Sequence, residues 1–352
     1  MIEINKNRTV LPDALEKENK IGQRLAFGLI LTLGTAILLF IMAFSVTKGA
    51  AEIPLDTVLK ALMSVDENNT QHLIVRDLRL PRIIASALIG ASLAVAGALM
   101  QGTTRNPLAD SGLMGLNAGA GFALAICFTF FPGVSYMKII MFSFAGAFFG
   151  AALVNSIAFM RKGGPSPMRL VLAGAAVSAL LSSLSQGFAL YFDVAQDIMF
   201  WTVGGVAGSN WEQIKIMSPF IAAALLGAVI ISPSVSLLSL GEEVAKGLGL
   251  NTRLVTILSS LIVLMLAGIS VSVVGAVGFV GLVIPHLSRF LVGVDYRKII
   301  PASGVLGALL VVMADLLART LNPPFETPIG ALISLVGVPF FLYLARRQRR
   351  TL

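Results

Sequence analysis

Ten times along the chain, a run of about seventeen to twenty-four apolar or small residues passes with no more than one charge. The runs fall near 25–46, 82–101, 113–131, 136–159, 169–191, 215–232, 253–273, 276–292, 299–318 and 328–345. About twenty residues coiled as an α-helix reach about 30 Å, the thickness of a bilayer's hydrocarbon core. Inside lipid every backbone polar group must be satisfied within the protein, and a helix does this within one segment. Composition points the same way. Charged residues make up only 12% of the chain and hydrophobic ones 56%, where soluble domains carry roughly 25% charge. The expected fold is an all-α polytopic membrane protein of about ten transmembrane helices. Residues 1–24, rich in Lys, Glu and Asn, read as a cytoplasmic tail, and 347–352 as a short basic one.

The net charge of +8 raises nucleic acid as a partner, but the basic residues sit at the ends of apolar runs, which is the mark of membrane topology. With the N-terminus inside, eighteen of the 26 Lys and Arg fall on inner segments. Both termini are therefore expected in the cytoplasm. The first run begins only at Leu25 and lacks a small-x-small cleavage site, so it reads as a retained helix rather than a signal peptide. The single cysteine, Cys127, lies in an apolar run and reads as a buried hydrophobe. With only His72 and His286 besides, no metal site is expected.

An internal repeat is legible. GASLAVAG at Gly90–Gly97 matches GISVSVVG at Gly268–Gly275 in four of eight positions, and the same offset of 178 aligns Pro107 with Pro285 and Gly115 with Gly293. The copies lie in runs two and seven, which cross in opposite directions. Two inverted five-helix halves are a common transporter plan, with the pathway between related helices.

Polar features mark where function could sit. SLLSLGEEVAKGLGLN, Ser236–Asn251, joins runs six and seven and is amphipathic, with Leu240, Val244 and Leu248 among Glu242, Glu243 and Lys246. Either a helix lying along the membrane surface or one docking into a partner's groove fits this pattern. Run five carries Ser178, Ser182, Ser183, Ser185 and Gln186 within nine residues, which suits a wet pathway or cross-bonding between helices. Arg79, Arg82 and Arg319 stand at outer ends of runs two and nine, placed to reach headgroups or a partner. Asp315, one turn before Arg319, is placed to pair with it.

The motifs RLPR, QGTTRNPLADSGLMGLNAGAG, LGEEVAKGLGLN, VGAVGFVGLVIPHLSRFLVG and ADLLAR…PPFETPIGALISLVGVPFFLYL, in this order, resemble the permease subunits of ABC importers for iron–siderophore complexes, haem and cobalamin. The resemblance covers about Leu25 to Arg346. It implies a ten-helix permease domain over 25–346 that pairs with a second permease subunit, identical or paralogous, two cytoplasmic ATPases and an external substrate-binding protein. ATP and Mg would belong to the ATPase, and this chain would bind no cofactor. By the same resemblance, Leu240, Gly241, Glu242, Glu243, Ala245, Leu248 and Gly249 couple to the ATPase, and Arg79, Arg82 and Arg319 meet carboxylates of the binding protein. The cytoplasmic gate falls on Asn106, Pro107, Leu108 and on Ser166, Pro167, Met168. Ser178, Ser182, Ser185 and Gln186 line the pathway, and the segment 193–210 caps it. A ferric siderophore is the expected cargo, with haem and cobalamin as alternatives.

Two other classes fit less well. An ion-coupled secondary transporter usually needs ionisable groups at mid-membrane, and the runs offer only Asp315 and Arg289, both near their ends. An intramembrane enzyme lacks a Gly-x-Ser-x-Gly nucleophile, and no GxxxxGK[ST] phosphate loop is present.

Overall fold

The computed structural model describes residues 21–49, 52–64, 66–160, 167–203, 205–323 and 325–348. Among these there are thirteen helices and no strand. Ten correspond to the ten apolar runs: α1 (Ile21–Thr47), α3 (Thr70–Thr104), α4 (Leu116–Phe130), α5 (Tyr136–Phe159), α6 (Pro167–Tyr191), α8 (Trp211–Ser239), α10 (Thr252–Val274), α11 (Val280–Val292), α12 (Tyr296–Thr320) and α13 (Ile329–Gln348). Three short helices join them: α2 (Leu55–Met63), α7 (Ala195–Val203) and α9 (Glu242–Gly247). Seven of the ten are long and apolar enough to cross a bilayer unaided; the described parts of α4, α11 and α13 are shorter. The first twenty residues and the last four lie outside the described residues, so the two tails read from the sequence fall largely there.

α3 starts twelve residues ahead of the run read from the sequence. Pro81 has no N–H to continue an ordinary helix, and the turn before it widens into a π-helical stretch, Ile74–Arg79, in which the Leu80 N–H reaches back to the Val75 carbonyl. The helix ends where Arg105 turns left-handed (φ 53°). The Asn106 side chain then accepts the Leu108 N–H at 3.0 Å, closing a tight turn.

α3 is the pillar of the bundle. In its most apolar stretch 78% of residues are buried, against 6% in α1, which lies along the outside of α12. Glycine allows the pillar to touch its neighbours backbone to backbone. A Cβ on Gly90 would stand 2.2 Å from the Gly307 carbonyl oxygen in α12, and one on Gly97 would stand 1.9 Å from that of Gly281 in α11. Small residues at helix seams gain dispersion contacts that lipid tails cannot supply between larger ones.

The packing follows the two-halves plan. α3 packs on α12 as α10 packs on α5; α4 packs on α5 and α6 as α11 packs on α12 and α13. The two Gly-Ser motifs sit on α3 and α10, which also pack together. The alignment beyond the motifs does not hold. Pro107 lies in the turn after α3, whereas Pro285 is inside α11; Gly115 (φ 74°) precedes α4, whereas Gly293 (φ 86°) follows α11. The cause is a break after α10: Gly275 (φ 75°) stops that helix, and the chain runs unwound to Phe279 (φ 67°) before α11 begins. The first half has a turn and a 3-10 segment (Ser111–Met114) there instead.

Candidate functional sites at the two ends of the bundle

At one end, α8 finishes at Ser239 and the chain makes an elbow into α9. Gly241 adopts φ 130°, a conformation open to glycine and costly for other residues. Gly249 (φ 82°) ends the elbow before Asn251 caps α10 by accepting the Leu254 N–H. The Ala245 methyl is fully buried against the bundle, which fixes which side of α9 faces inward. Leu240, Val244 and Leu248, four residues apart, are exposed at 64%, 51% and 62%. Glu242 and Glu243 flank that stripe, both exposed. Glu242 pairs with Lys246 at 2.8 Å. This hydrogen bond is the main reason the Glu242 carboxyl is held below the ordinary carboxylate range; the charge of Arg105 and the Thr252 hydroxyl act in the same direction and partial burial opposes them.

The elbow and the turn after α3 face each other across a cavity of about 660 Å³. Arg105, Asn106, Asn155, Glu242, Lys246 and Arg253 are among its lining residues. Of the expected gate residues Asn106, Pro107 and Leu108, Asn106 therefore faces the expected coupling segment across this cavity. Of the second expected gate turn, Ser166 lies outside the described residues, and Pro167 and Met168 form the backbone of the first turn of α6.

α6 presents its polar residues unevenly. Ser185 is buried and donates to the Gly121 carbonyl of α4 at 3.2 Å, so it bonds to a neighbouring helix. Ser178 and Ser182 are half-buried, while Ser183 and Gln186 are exposed. Ser185 and Gln186 border a hollow of about 490 Å³ whose other wall is Ala195, Ile198 and Met199, all in α7. α7 thus lies against the end of α6.

At the opposite end the arginines are not a row of free cations. Arg79, Arg82 and Arg319 are all at least 92% buried. Arg82 donates through Nε to Asp315 at 2.7 Å and through Nη1 to Glu326 at 2.6 Å. Arg319 pairs with the other Asp315 oxygen at 3.1 Å and reaches the Ser45 hydroxyl and the Lys48 carbonyl of α1 and its exit. Arg79 donates to the Val46 carbonyl at 2.6 Å. The sequence reading of these residues as open to a partner is corrected to this extent: their heads are turned inward, because a guanidinium at a helix–helix seam loses less by pairing with a buried carboxylate than by remaining unpaired. The Asp315–Arg319 pair is as read. Glu326 was missed; its only mark in the sequence is a lone acid in a proline-rich loop.

A second network escaped the sequence reading. Arg289 of α11 donates to the Gln101 amide oxygen at 3.1 Å and to the Tyr296 hydroxyl at 3.0 Å, while Gln101 donates to the carbonyls of Gly281 and Leu282. It ties α3, α11 and α12 together near the elbow end. A lone arginine late in an apolar run was its only signal. Among the described residues no three His, Cys, Asp or Glu side chains gather as a metal site.

Comparison with known proteins agrees with this arrangement. The model of the FecCD transport family matches residues 37–347. The chain is 51% identical to the iron(3+)-hydroxamate import system permease protein FhuB of Bacillus subtilis, over 92% of this chain and 84% of that one. It is 35% identical to the hemin transport system permease protein HmuU of Yersinia pestis, over 94% and 98%. A solved structure titled as an inward-facing conformation of a putative metal-chelate type ABC transporter superimposes with a TM-score of 0.78 at 30% identity, covering 92% of this chain and 99% of that one. Ten apolar helices around a glycine-seamed pillar, in a chain matched over nearly its whole length, leave one assignment: this protein is a member of the FecCD transport family.

Proposed function

We propose that this chain is the permease subunit of an ATP-driven importer for ferric chelates, with a hydroxamate siderophore as first-choice cargo. It is a transport component and not an enzyme. The observation that carries the reading is the elbow: a short helix anchored by Ala245 that leaves three apolar side chains and Glu243 exposed, with Glu242 at the cavity edge. A cytoplasmic ATPase closing on that stripe would pull on α8 and α10, and the Arg105–Leu108 turn across the cavity is positioned to respond. The coupling role belongs to Leu240, Gly241, Glu242, Glu243, Ala245, Leu248 and Gly249. Gating belongs to Asn106–Leu108, with Ser166–Met168 as its second part. Ser178, Ser182 and Gln186 line the path, while Ser185 braces α6 against α4.

The working unit is this chain with a second permease subunit, identical or paralogous, two ATPases that hold ATP and Mg, and an external binding protein that meets the arginine end. The chain sits in the bacterial cytoplasmic membrane with both termini inside. The match to a hemin permease keeps haem as the second cargo.

The test is uptake of a ferric hydroxamate into proteoliposomes assembled with the ATPase and the binding protein. Replacing Glu242 and Glu243 together by Ala should lower uptake by at least tenfold while the purified permease keeps its melting temperature. Undiminished uptake by the double variant would remove the coupling assignment, and uptake by wild-type permease without any ATPase would remove the importer reading itself.

A further inference from the structure

Arg82 has two carboxylate partners of unlike character. Asp315 is 1% exposed and belongs to α12, where it also holds Arg319. Glu326 is 47% exposed and belongs to the loop between α12 and α13. That loop is pinned behind Glu326 by the Thr327 N–H donating to the Ala318 carbonyl at 3.0 Å, and Phe325 stands out from it at 72% exposure. Asp315 is thus a permanent counter-charge. Glu326 pairs with Nη1 of the guanidinium from a side chain that is half in water.

We propose that Glu326 is an internal stand-in for a carboxylate of the external partner, and that docking proceeds by exchange. The partner's Asp or Glu takes the Arg82 Nη1 position, and Glu326 swings out into water beside Phe325. This inference rests on the docking reading above and explains how an arginine only 8% exposed can serve an external protein. Exchange keeps the buried guanidinium paired with a carboxylate before and after docking, so neither state carries an uncompensated charge in a poorly hydrated site. It also sets the affinity low, because one ion pair is broken for each one formed. A partner that must release after each delivery is suited by such an arrangement, in which charge contributes orientation more than hold. An uncharged or basic partner surface cannot displace Glu326, so the contact selects for acid at that point.

The experiment is titration of the full-length permease in nanodiscs with the substrate-binding protein of the same import system, comparing wild type with Glu326→Gln. The glutamine keeps the size of the side chain and removes the competing charge. Docking to the variant should be about three- to tenfold tighter and should lose affinity with added salt more steeply, since a net ion pair now forms. Glu326→Asp, which retains the charge, should bind as wild type does. Equal or weaker binding by Glu326→Gln, with wild type binding normally, overturns the exchange and leaves docking intact. Absence of any complex with wild type overturns docking at this face and the exchange with it.

Discussion

Asp315 is held between two guanidinium groups at the seam of α3, α12 and α1, with hardly any water to share the charge. Removing one member of such a buried set costs more than the set contributes as a whole, because the remaining charges stay behind unpaired. Asp315→Asn should therefore lower stability by about 3–5 kcal/mol, read as a fall in the thermal unfolding midpoint in detergent. Half of this site was legible in the sequence. Asp315 and Arg319 are four apart on one helix, and helical spacing alone brings them together. Arg82 lies 233 positions from Asp315, and only the folded seam makes them neighbours. A separation of 188 positions likewise hid the Arg289–Gln101 bond. Local rules find partners within one turn of helix and are blind across the bundle.

Among the elements, α3 is set by what it lacks. The sequence made its span clear because lipid demands an unbroken apolar stretch, and the other nine runs were legible for the same reason. What the sequence did not reveal was where glycine is a requirement and where it is incidental. Gly90 meets the Gly307 backbone, whereas nothing stands within 4 Å of a Cβ placed on Gly28 in α1. Gly90→Ala should destabilise the fold by about 1–3 kcal/mol, outweighing the roughly 1 kcal/mol that alanine gains in a helix interior. Gly28→Ala should unfold at the wild-type temperature or slightly above. Comparing the two melting curves checks the assignment of the seam. The failed alignment of Pro107 with Pro285 has the same lesson. A shared motif fixed the paired helices α3 and α10, but the connections after them answer to different neighbours and carry no common pattern.

On the scale of the whole molecule, most of the bundle is closed by its own helices, while α6 shows solvent or lipid a face of small and polar residues. Ala175, Ala176, Ala179, Ser183 and Gln186 are exposed there, interrupted by Leu180 and Leu184. A lipid-facing helix has no use for Ser and Gln, so this face suits a second permease across a wet pathway. Ser183→Cys, treated in membranes with a bis-maleimide long enough to span the pathway, should give a cross-linked permease pair. The wild-type chain, whose one cysteine is buried in α4, should remain monomeric on the same gel. The count of spans and the polar stripe were visible in the sequence. The inward turn of the arginines was not, since burial is a property of the assembled surface and hydropathy says nothing about which ends are covered.

The glycine seam also limits how such a machine can move. Where carbonyl oxygen rests directly on α-carbon there is no slack for gliding, and a shift of even an ångström would drive main chain into main chain. α3, α11 and α12 must then travel as one casting. Any stroke of the transport cycle would then fall to helices outside that seam, α8 and α10 among them, turning about that axle.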